Sequence, residues 1–224
     1  EVYRKISERR LQDKAELNDL FSSLLKKRHQ VALNAGFDNY RDYRFTELGR
    51  FDYKTEDCYQ FHEAVKLHVL PLANQLYEIK KRKLGLDTLR PWDIEAEPAG
   101  IKPLRPFKTG EELIEKTIQC FNQLRPFFGD CLQKMRSMGH LDLESRKGKA
   151  PGGYNCPLAE SGAPFIFMNA AGQLDDVTTM VHEGGHAIHS FLSHDLELHS
   201  FKEYPTEIAE VASMSMELFS MDHW

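Results

Sequence analysis

The chain has 224 residues, of which 41% are hydrophobic and 28% charged, and its formal net charge is −5; this is ordinary for one large or two small globular domains. No apolar run approaches the roughly 18–20 residues that span a bilayer, and no basic start followed by an apolar stretch indicates a secretory signal. The positive and negative charges are intermixed, so we expect neither a membrane nor a nucleic acid as a partner.

The N-terminal part has the pattern of a helical region. Apolar residues recur at three- and four-residue steps through residues 1–35, and Thr55 begins a second long helical segment that runs toward Lys83 with a kink or break at Pro71. Prolines then recur between residues 86 and 109, which predicts an extended connection. We therefore expect a helical N-terminal part at residues 1–109 and a second part, which carries the chemistry, at residues 110–224.

The second part begins with helices, and the residue pattern then changes to that of loops and a short strand. Thr109 and Glu112 match a capping box before two helical segments that end near residue 138. Residues 146–154 have the composition of loops, and residues 164–169 are typical of a short strand. A helix follows from about residue 175 to 193, and a last one begins near Pro205. The predicted fold class is mainly α, with a small β hairpin or sheet before the helix of residues 175–193.

The four cysteines (Cys58, Cys120, Cys131 and Cys156) are scattered along the chain and form no C-x-x-C pair. They therefore resemble neither a zinc knuckle nor a compact disulfide framework. Reduced thiols in a cytoplasmic protein are the expectation.

The penultimate predicted helix contains the motif H-E-x-x-H. His182 and His186 lie four residues apart, so both imidazoles leave one helix face about 40° apart, and together they can hold one metal ion. Zinc accepts neutral imidazole ligands, and a hydrolytic zinc site has three protein ligands. Glu183 can reach the water side of the ion as a general base. The motif therefore predicts a zinc peptidase with one Zn²⁺.

The third ligand distinguishes the classes of such peptidases. Position 189 is His189 where one class has glycine, and position 192 is Leu192 where that class has its third histidine. That class is therefore excluded, and a glutamate from the following helix is expected instead. Spacing alone does not choose among the candidates Glu203, Glu207, Glu210 and Glu217.

Two segments resemble the oligoendopeptidase F branch of the thimet oligopeptidase family. They are residues 182–190, which begin at His182, and residues 204–213, which begin at Tyr204. The resemblance extends upstream to residues 36–40, 86–93 and 142–154, so it covers nearly the whole chain. It implies that Glu210 is the third ligand, because Glu210 matches the glutamate of the family's E-x-x-S segment. It also implies a largely helical metallopeptidase fold, and a cytoplasmic enzyme that cuts short oligopeptides internally.

The resemblance further implies that the domain is incomplete. Family members are much longer, and they supply oxyanion-stabilising histidine and tyrosine residues downstream of the second zinc helix. We therefore expect the remainder of the same catalytic domain, with those residues, to lie beyond Trp224, and this chain alone to be a weak catalyst at best. The alternatives are a related zinc carboxypeptidase or dipeptidase on the same scaffold, and a catalytically incompetent fragment or binding module.

Several residues are candidates to support the site or the substrate. Glu217 or Asp176 can accept a hydrogen bond from a ligating histidine, with a surface salt bridge as the alternative. His189 can contact substrate or simply pack between helices. The remaining candidates are the backbone at Asn169 and Ala170, which can pair with an extended peptide, and a loop over the cleft, or an ordinary hairpin turn, at Gly153 and Tyr154.

Overall fold

The computed structural model describes residues 1–223, and their backbone divides into two compact units. The first covers Glu1–Ile101, and the second begins at Lys102. The boundary after residue 109 stays a prediction. Within the described residues no helix combines the length and apolarity that crossing a membrane requires.

The first unit is helical up to Leu84 apart from short turns, and an irregular segment with one 3-10 turn at Pro91–Asp93 follows. A π-helical turn at Val65–Val69 precedes Pro71, and it accommodates the missing proline N–H within one nearly continuous helical segment. Ala32 is the one buried hydrophobic residue of this unit within the described chain. Its helices are α1 Val2–Gln12, α2 Lys14–Asn34, α3 Tyr40–Glu47, α4 Thr55–Ala64 and α5 Leu70–Leu84.

Up to His223, the second unit combines four α-helices and two 3-10 turns with a small sheet. Its elements are α6 Gly110–Leu124, α7 Pro126–Ser137, β1 Leu141–Glu144, β2 Tyr154–Cys156, β3 Phe165–Ala170, α8 Leu174–Ser193 and α9 Thr206–Ser220. Thr109 caps α6, because its side chain accepts a hydrogen bond from the backbone of Glu112. The prediction of a mainly helical fold with a small sheet before the motif helix is confirmed.

The sheet has the order β1-β3-β2, so β3 is its central strand. β1 pairs with β3 in parallel, with Leu141 opposite Ile166, and β2 pairs with β3 antiparallel, with Asn155 opposite Ile166. The sequence pattern predicts β3 but assigns neither β1 nor β2, which lie on either side of the predicted loop. One face of β3 is buried against α8, and the outer edge of β2 carries no further strand within the described chain.

The core of the second unit lies between α6, α7, the sheet and α8. Apolar residues of α8 recur at helical spacing, so one side of that helix is buried while the motif side chains emerge elsewhere. The largest fully buried side chains there include Phe121, Leu132, Ile166, Met180 and Val181. The motif helix is therefore anchored on a packed core.

A buried lysine ties β1 to β3. The Lys149 side chain is 1% exposed, and its Nζ lies 3.0 Å from Oδ1 of Asp142 and 2.9 Å from the backbone oxygen of Glu144. It also donates to the backbone oxygen of Met168 on β3. Arg146 completes the cluster, with its guanidinium bonded to both carboxylate oxygens of Asp142 at 2.6 and 2.9 Å.

This cluster predicts a pH-dependent stability. Hydrogen bonds from Arg146, followed by those from Lys149, lower the pKa of Asp142 from 3.8 to about 2. A carboxyl group whose pKa is depressed by folding stabilises the protein above its unfolded pKa, and this contribution is lost as the pH falls toward 2. Asp142→Asn should therefore lower the free energy of unfolding by about 1–3 kcal/mol at neutral pH. Urea unfolding of both proteins should show that the difference shrinks between about pH 4 and pH 2; a difference that does not change with pH would contradict this account.

Candidate metal centre

Three side chains of α8 and α9 converge on one point. One ligand atom each from His182, His186 and Glu210 lies within 4.8 Å of the other two. His182 and His186 leave α8 one turn apart, with ring centroids separated by 4.9 Å, and Glu210 reaches them from α9. The structure thus brings together the three residues that were predicted to be ligands.

The separations of these atoms suit a small divalent ion. Oε2 of Glu210 lies 3.3 Å from Nε2 of His182 and 3.8 Å from Nε2 of His186. A tetrahedral ion with bonds of about 2.1 Å places its ligand atoms roughly 3.4 Å apart. Two imidazole nitrogens and one carboxylate oxygen are also a donor set typical of zinc. The residues present therefore fit the ion that the motif predicts.

Glu217 orients the first histidine. Nδ1 of His182 lies 2.6 Å from Oε1 of Glu217, two turns beyond Glu210 on α9. Since a carboxylate only accepts hydrogen bonds, the proton of this imidazole lies on Nδ1, and Nε2 keeps its lone pair facing the cluster. This is the arrangement that commonly fixes a metal-ligating histidine.

Ser213 holds Glu210, the predicted third ligand, in place. Its side chain is fully buried, and its Oγ donates to Oε2 of Glu210 at 3.0 Å. The spacing of three residues places both side chains on one face of α9. The serine of the E-x-x-S segment therefore restricts the rotamer of Glu210.

Glu183 is a buried carboxylate beside the cluster. It is 7% exposed, and its Oε2 has no hydrogen-bond partner within residues 1–223. Burial raises the pKa of Glu183, and the nearby negative charge of Glu210 raises it further, while His182 and a hydrogen bond from the backbone N–H of Asn155 act in the opposite direction. A carboxylate with a raised pKa is a better proton acceptor near neutral pH.

Burial has the reverse effect on the imidazoles. It lowers the pKa of His186, as do His182 and His189, whereas Glu210 raises it. Burial also lowers the pKa of His189. Because a metal binds neutral imidazole, the depressed pKa of His186 favours its role as a ligand.

A close approach of two helices makes the cluster possible. A Cβ atom built on Gly185 would lie 2.7 Å from the Cα of Ser213 and 2.9 Å from the backbone oxygen of Ala212. Only glycine allows α8 and α9 to approach this closely, and the approach places Glu210 beside the two histidines. Gly184 instead faces the core, where an added Cβ would meet the Phe121 ring at 2.8 Å.

Comparisons with known proteins identify the family of the chain. The model of Peptidase family M3 matches residues 1–224. The chain belongs to peptidase family M3. It is 28% identical to the oligoendopeptidase F homolog of Lactococcus lactis subsp. lactis over 155 residues, which cover 69% of this chain and 25% of that protein. It is also 28% identical to oligopeptidase PepF of Bacillus subtilis over 155 residues, covering 66% of this chain and 22% of that protein.

A solved structure of PZ peptidase A with an inhibitor has the same fold, with a TM-score of 0.87 and 30% sequence identity. It matches 95% of this M3 chain, which corresponds to 38% of that structure. The chain thus spans about a quarter of the length of the curated relatives it matches. The family resemblance and the prediction of a partial domain are confirmed.

The other predicted site residues of this M3 chain have different surroundings. Asp176 caps the start of α8, because its Oδ2 accepts hydrogen bonds from the backbone N–H groups of Ala171 and Gln173. The Asp176 carboxylate is therefore hydrogen-bonded at the start of α8 and not to the His182 side chain. His189 stacks on Tyr204 with ring centroids 4.0 Å apart, and its Nδ1 is buried without a partner in the described chain.

The residues predicted to bind substrate lie in and around the sheet. Ala170 is in the central strand, opposite Glu144, and the Asn169 side chain donates to the backbone oxygens of Ala150 and Gly152, so that it holds the preceding loop. Both outer strands of the sheet, β1 and β2, have an edge without a neighbouring strand within residues 1–223. Tyr154, which begins β2, stacks on Phe167 at 5.0 Å.

Gly153 lies immediately before β2, where an added Cβ would contact Thr179 of α8 at 3.4 Å. The segment at residues 153–154 thus packs against α8 and β3. A loop over the cleft and an ordinary hairpin turn at these two residues both stay predictions.

A cavity of about 280 Å³ lies along the last turns of α8, lined in part by Ser190, Leu158 and Tyr204. Ser190 is one turn beyond His186 and donates to its backbone oxygen. A larger cavity of about 450 Å³ borders α8 at Val177 and Val181, and none of the cluster residues lines it. None of the cluster residues lines the smaller cavity either.

Three residues that support the site are not identified as such by the sequence analysis. Ser213 has a signal, its spacing of three from Glu210, whereas Gly185 occupies a position of the motif where any residue is permitted. Asn155 has no sequence signal, because its importance arises from where β2 packs.

Proposed function

We propose that this chain carries the zinc-binding and proton-transfer part of an oligoendopeptidase active site. One observation supports this most directly: the convergence of His182, His186 and Glu210 beside a buried Glu183 whose Oε2 is unpartnered within residues 1–223. The names of the relatives and the M3 family membership support the peptidase class.

His182, His186 and Glu210 would hold the zinc ion through two imidazole nitrogens and one carboxylate oxygen. When bound there, zinc supplies Lewis-acid chemistry, which polarises a peptide carbonyl and makes a water molecule more acidic. Glu217 keeps the His182 ring oriented, and Ser213 keeps Glu210 in one rotamer.

Glu183 acts as the general base in this proposal. Its carboxylate accepts a proton from the attacking water and later delivers it to the amine that leaves. The raised pKa of the buried carboxyl suits both steps, because a group that binds a proton more readily near neutral pH also returns it as an acid.

The substrate lies along the outer edge of β2. A short peptide that adds as a strand to this edge is held by main-chain hydrogen bonds, so that many sequences are accepted. The backbone of Asn169 and Ala170 lies beyond the Phe165–Phe167 segment that pairs with β2, and pairing of the peptide with it stays a prediction.

We further propose that the enzyme cuts internal bonds of short oligopeptides in the cytoplasm. Cys58, Cys120, Cys131 and Cys156 are all free thiols, as expected in a reducing compartment. Fractionation of cells with an antibody against the chain tests this location; recovery in a secreted fraction would contradict it.

Metal analysis and product mapping test the function. The purified chain, dialysed after zinc addition, should retain one zinc ion, and His182→Ala should lose it while His62→Ala, an exposed histidine of the first unit, should not. Mass spectrometry of digested peptides should show internal cuts. A wild-type chain that holds no zinc would refute the proposal, and release of terminal residues alone would assign the protein to the exopeptidases.

A further inference from the structure

The last α-helix of the chain, α9, has an apolar side that faces solvent. Its inner side, at Ser213, Met216 and Ser220, is buried against α8 and α6. Its opposite side, which we call the outer face of α9, consists of large apolar side chains that are 49% to 69% exposed: Ile208, Val211, Met214, Leu218 and Phe219. An amphipathic helix normally directs its polar residues to water, so this face has the composition of a buried surface.

The exposed side of α6 shows the contrast. Its exposed positions carry only polar or charged side chains, namely Glu111, Glu115, Lys116, Gln119, Asn122 and Gln123. Among the exposed positions of α9, by comparison, only Thr206 in its first turn is polar. Single exposed apolar residues are common in soluble proteins, whereas a contiguous apolar patch marks an interaction site. The outer face of α9 is therefore a candidate interface.

The spacing on this face suits a helix as the partner. Val211, Met214 and Leu218 follow one another at steps of three and four residues, so they form one ridge along α9. A ridge of this kind packs into the groove between the side chains of a second helix. From Ile208 to Phe219 the face is about 17 Å long at a rise of about 1.5 Å per residue, which is enough for several turns of a partner helix.

We propose that the outer face of α9 is the docking surface for a helix of the M3 catalytic domain that lies outside the matched part, in the segment that follows the counterpart of α9 in longer family members. The inference rests on the family membership of the chain and on this surface. It goes beyond the proposed function, because it requires neither zinc nor substrate.

The lengths of the relatives support this occupant. The chain corresponds to 38% of the PZ peptidase A structure and to 25% of the Lactococcus lactis homolog. Most of an M3 protein therefore lies outside the matched part and can supply a covering helix. Elements that are consecutive in sequence are usually neighbours in space, so the segment after the counterpart of α9 is the expected source.

The charges of α9 argue against a membrane as the occupant. Helices that lie on a bilayer surface carry lysine or arginine beside their apolar face. The sequence of α9 contains no basic residue, and its charged residues are Glu207, Glu210 and Glu217. We therefore expect a helix with a matching apolar stripe and not a lipid surface.

Docking at this face also affects the metal centre. Glu210 and Glu217 belong to the same helix, and both contact His182. A helix packed on the outer face would confine α9 from the side that α8 leaves free, and it would border the predicted ligands.

The test measures complex formation with the segment of PZ peptidase A that follows its counterpart of α9. This segment is co-expressed with the full 224-residue chain, the complex is purified through a tag on the chain, and its dissociation on dilution is followed by analytical ultracentrifugation without zinc or peptide. Apolar contacts tolerate differences in sequence when the volume is similar, so the segment of a relative is a suitable probe. We expect a 1:1 complex, and Leu218→Gln should raise its Kd about 10- to 100-fold because the interface loses a buried leucine.

Leu192→Gln is the matched control. It makes the same replacement at an exposed leucine of α8 outside this face and should leave Kd unchanged. The urea midpoint of the free Leu218→Gln chain should stay at or above that of the wild type, because residue 218 is exposed there. A lower midpoint would show that the face is already covered within the chain, which contradicts the inference.

Absence of a complex with the wild-type chain would overturn the inference, as would equal Kd values for the wild type and Leu218→Gln. A wild-type dimer that Leu218→Gln dissociates would assign the face to a second copy. Binding to phosphatidylcholine–phosphatidylglycerol vesicles that Leu218→Gln abolishes would assign it to a membrane, and both of these results contradict the inference. Because zinc is absent throughout, none of these outcomes bears on the proposed function, whose zinc binding is measured separately.

Discussion

Gly185→Ala should separate the third ligand from the two histidines and weaken zinc binding by roughly 10- to 100-fold. The added Cβ would lie within 2.7 Å of the Cα of Ser213 and 2.9 Å of the backbone oxygen of Ala212, and neither backbone atom can move without α9. Glu210 is on the preceding turn of the same helix, so it moves with Ser213. Overpacking of this kind also lowers the free energy of unfolding by about 1–3 kcal/mol.

Gly184→Ala is the matched control for this prediction. Its Cβ would crowd the ring of Phe121 in the core, not the backbone of α9. We therefore expect a similar loss of stability by urea unfolding but zinc affinity close to that of the wild type, measured by competition with a chromophoric chelator. Equal zinc affinities for Gly185→Ala and the wild type would show that the helix contact does not position Glu210.

Glu183→Gln should leave zinc bound and reduce peptide turnover by about 10²- to 10⁴-fold, the range typical for loss of a general base. Glutamine keeps the size of the side chain but cannot accept a proton at the position of Oε2. The ligands themselves are unchanged, so zinc stoichiometry and affinity should stay the same. Cleavage of an internally quenched peptide, measured against the unchanged chain, gives the ratio.

The same substitution should stabilise the fold. Glu183 buries a carboxylate with one unpartnered oxygen in the described chain, and an ionised group costs more to bury than a neutral amide. The urea midpoint of Glu183→Gln should therefore rise, whereas Glu115→Gln, on an exposed position of α6, should change neither turnover nor stability. A destabilised Glu183→Gln protein would indicate that the carboxylate supports the fold, and retained turnover would exclude it as the base.

The sequence predicts those parts of the site that lie within one helix. The apolar periodicity of α8 and the spacing of His182 and His186 are local properties, because one turn of helix fixes which side chains share a face. Thr109 is predicted as a cap for the same reason, because its bond to the backbone of Glu112 spans a single turn.

The parts that depend on packing between elements are not predictable in this way. Glu207, Glu210 and Glu217 all lie on α9, and only the family resemblance singled out Glu210. β1 is short, and its partner β3 is more than twenty residues away in the sequence, so its identity as a strand arises from pairing and not from its own pattern. Gly185 matters because α9 packs against it, and Asn155 matters because α8 lies beside β2. No pattern in the sequence around either residue indicates these contacts.

The open edge of β2 has a consequence for self-association. An edge that accepts a peptide strand is equally able to accept a strand from another copy of the protein, and such pairing is a common start of aggregation. Here the strand Tyr154–Cys156 has only three residues, with Gly153 before it and Pro157 after it. Pro157 has no N–H to donate, so a ladder cannot extend past it. The shortness that makes β2 inconspicuous in the sequence thus permits brief pairing with a peptide and limits growth into larger sheets.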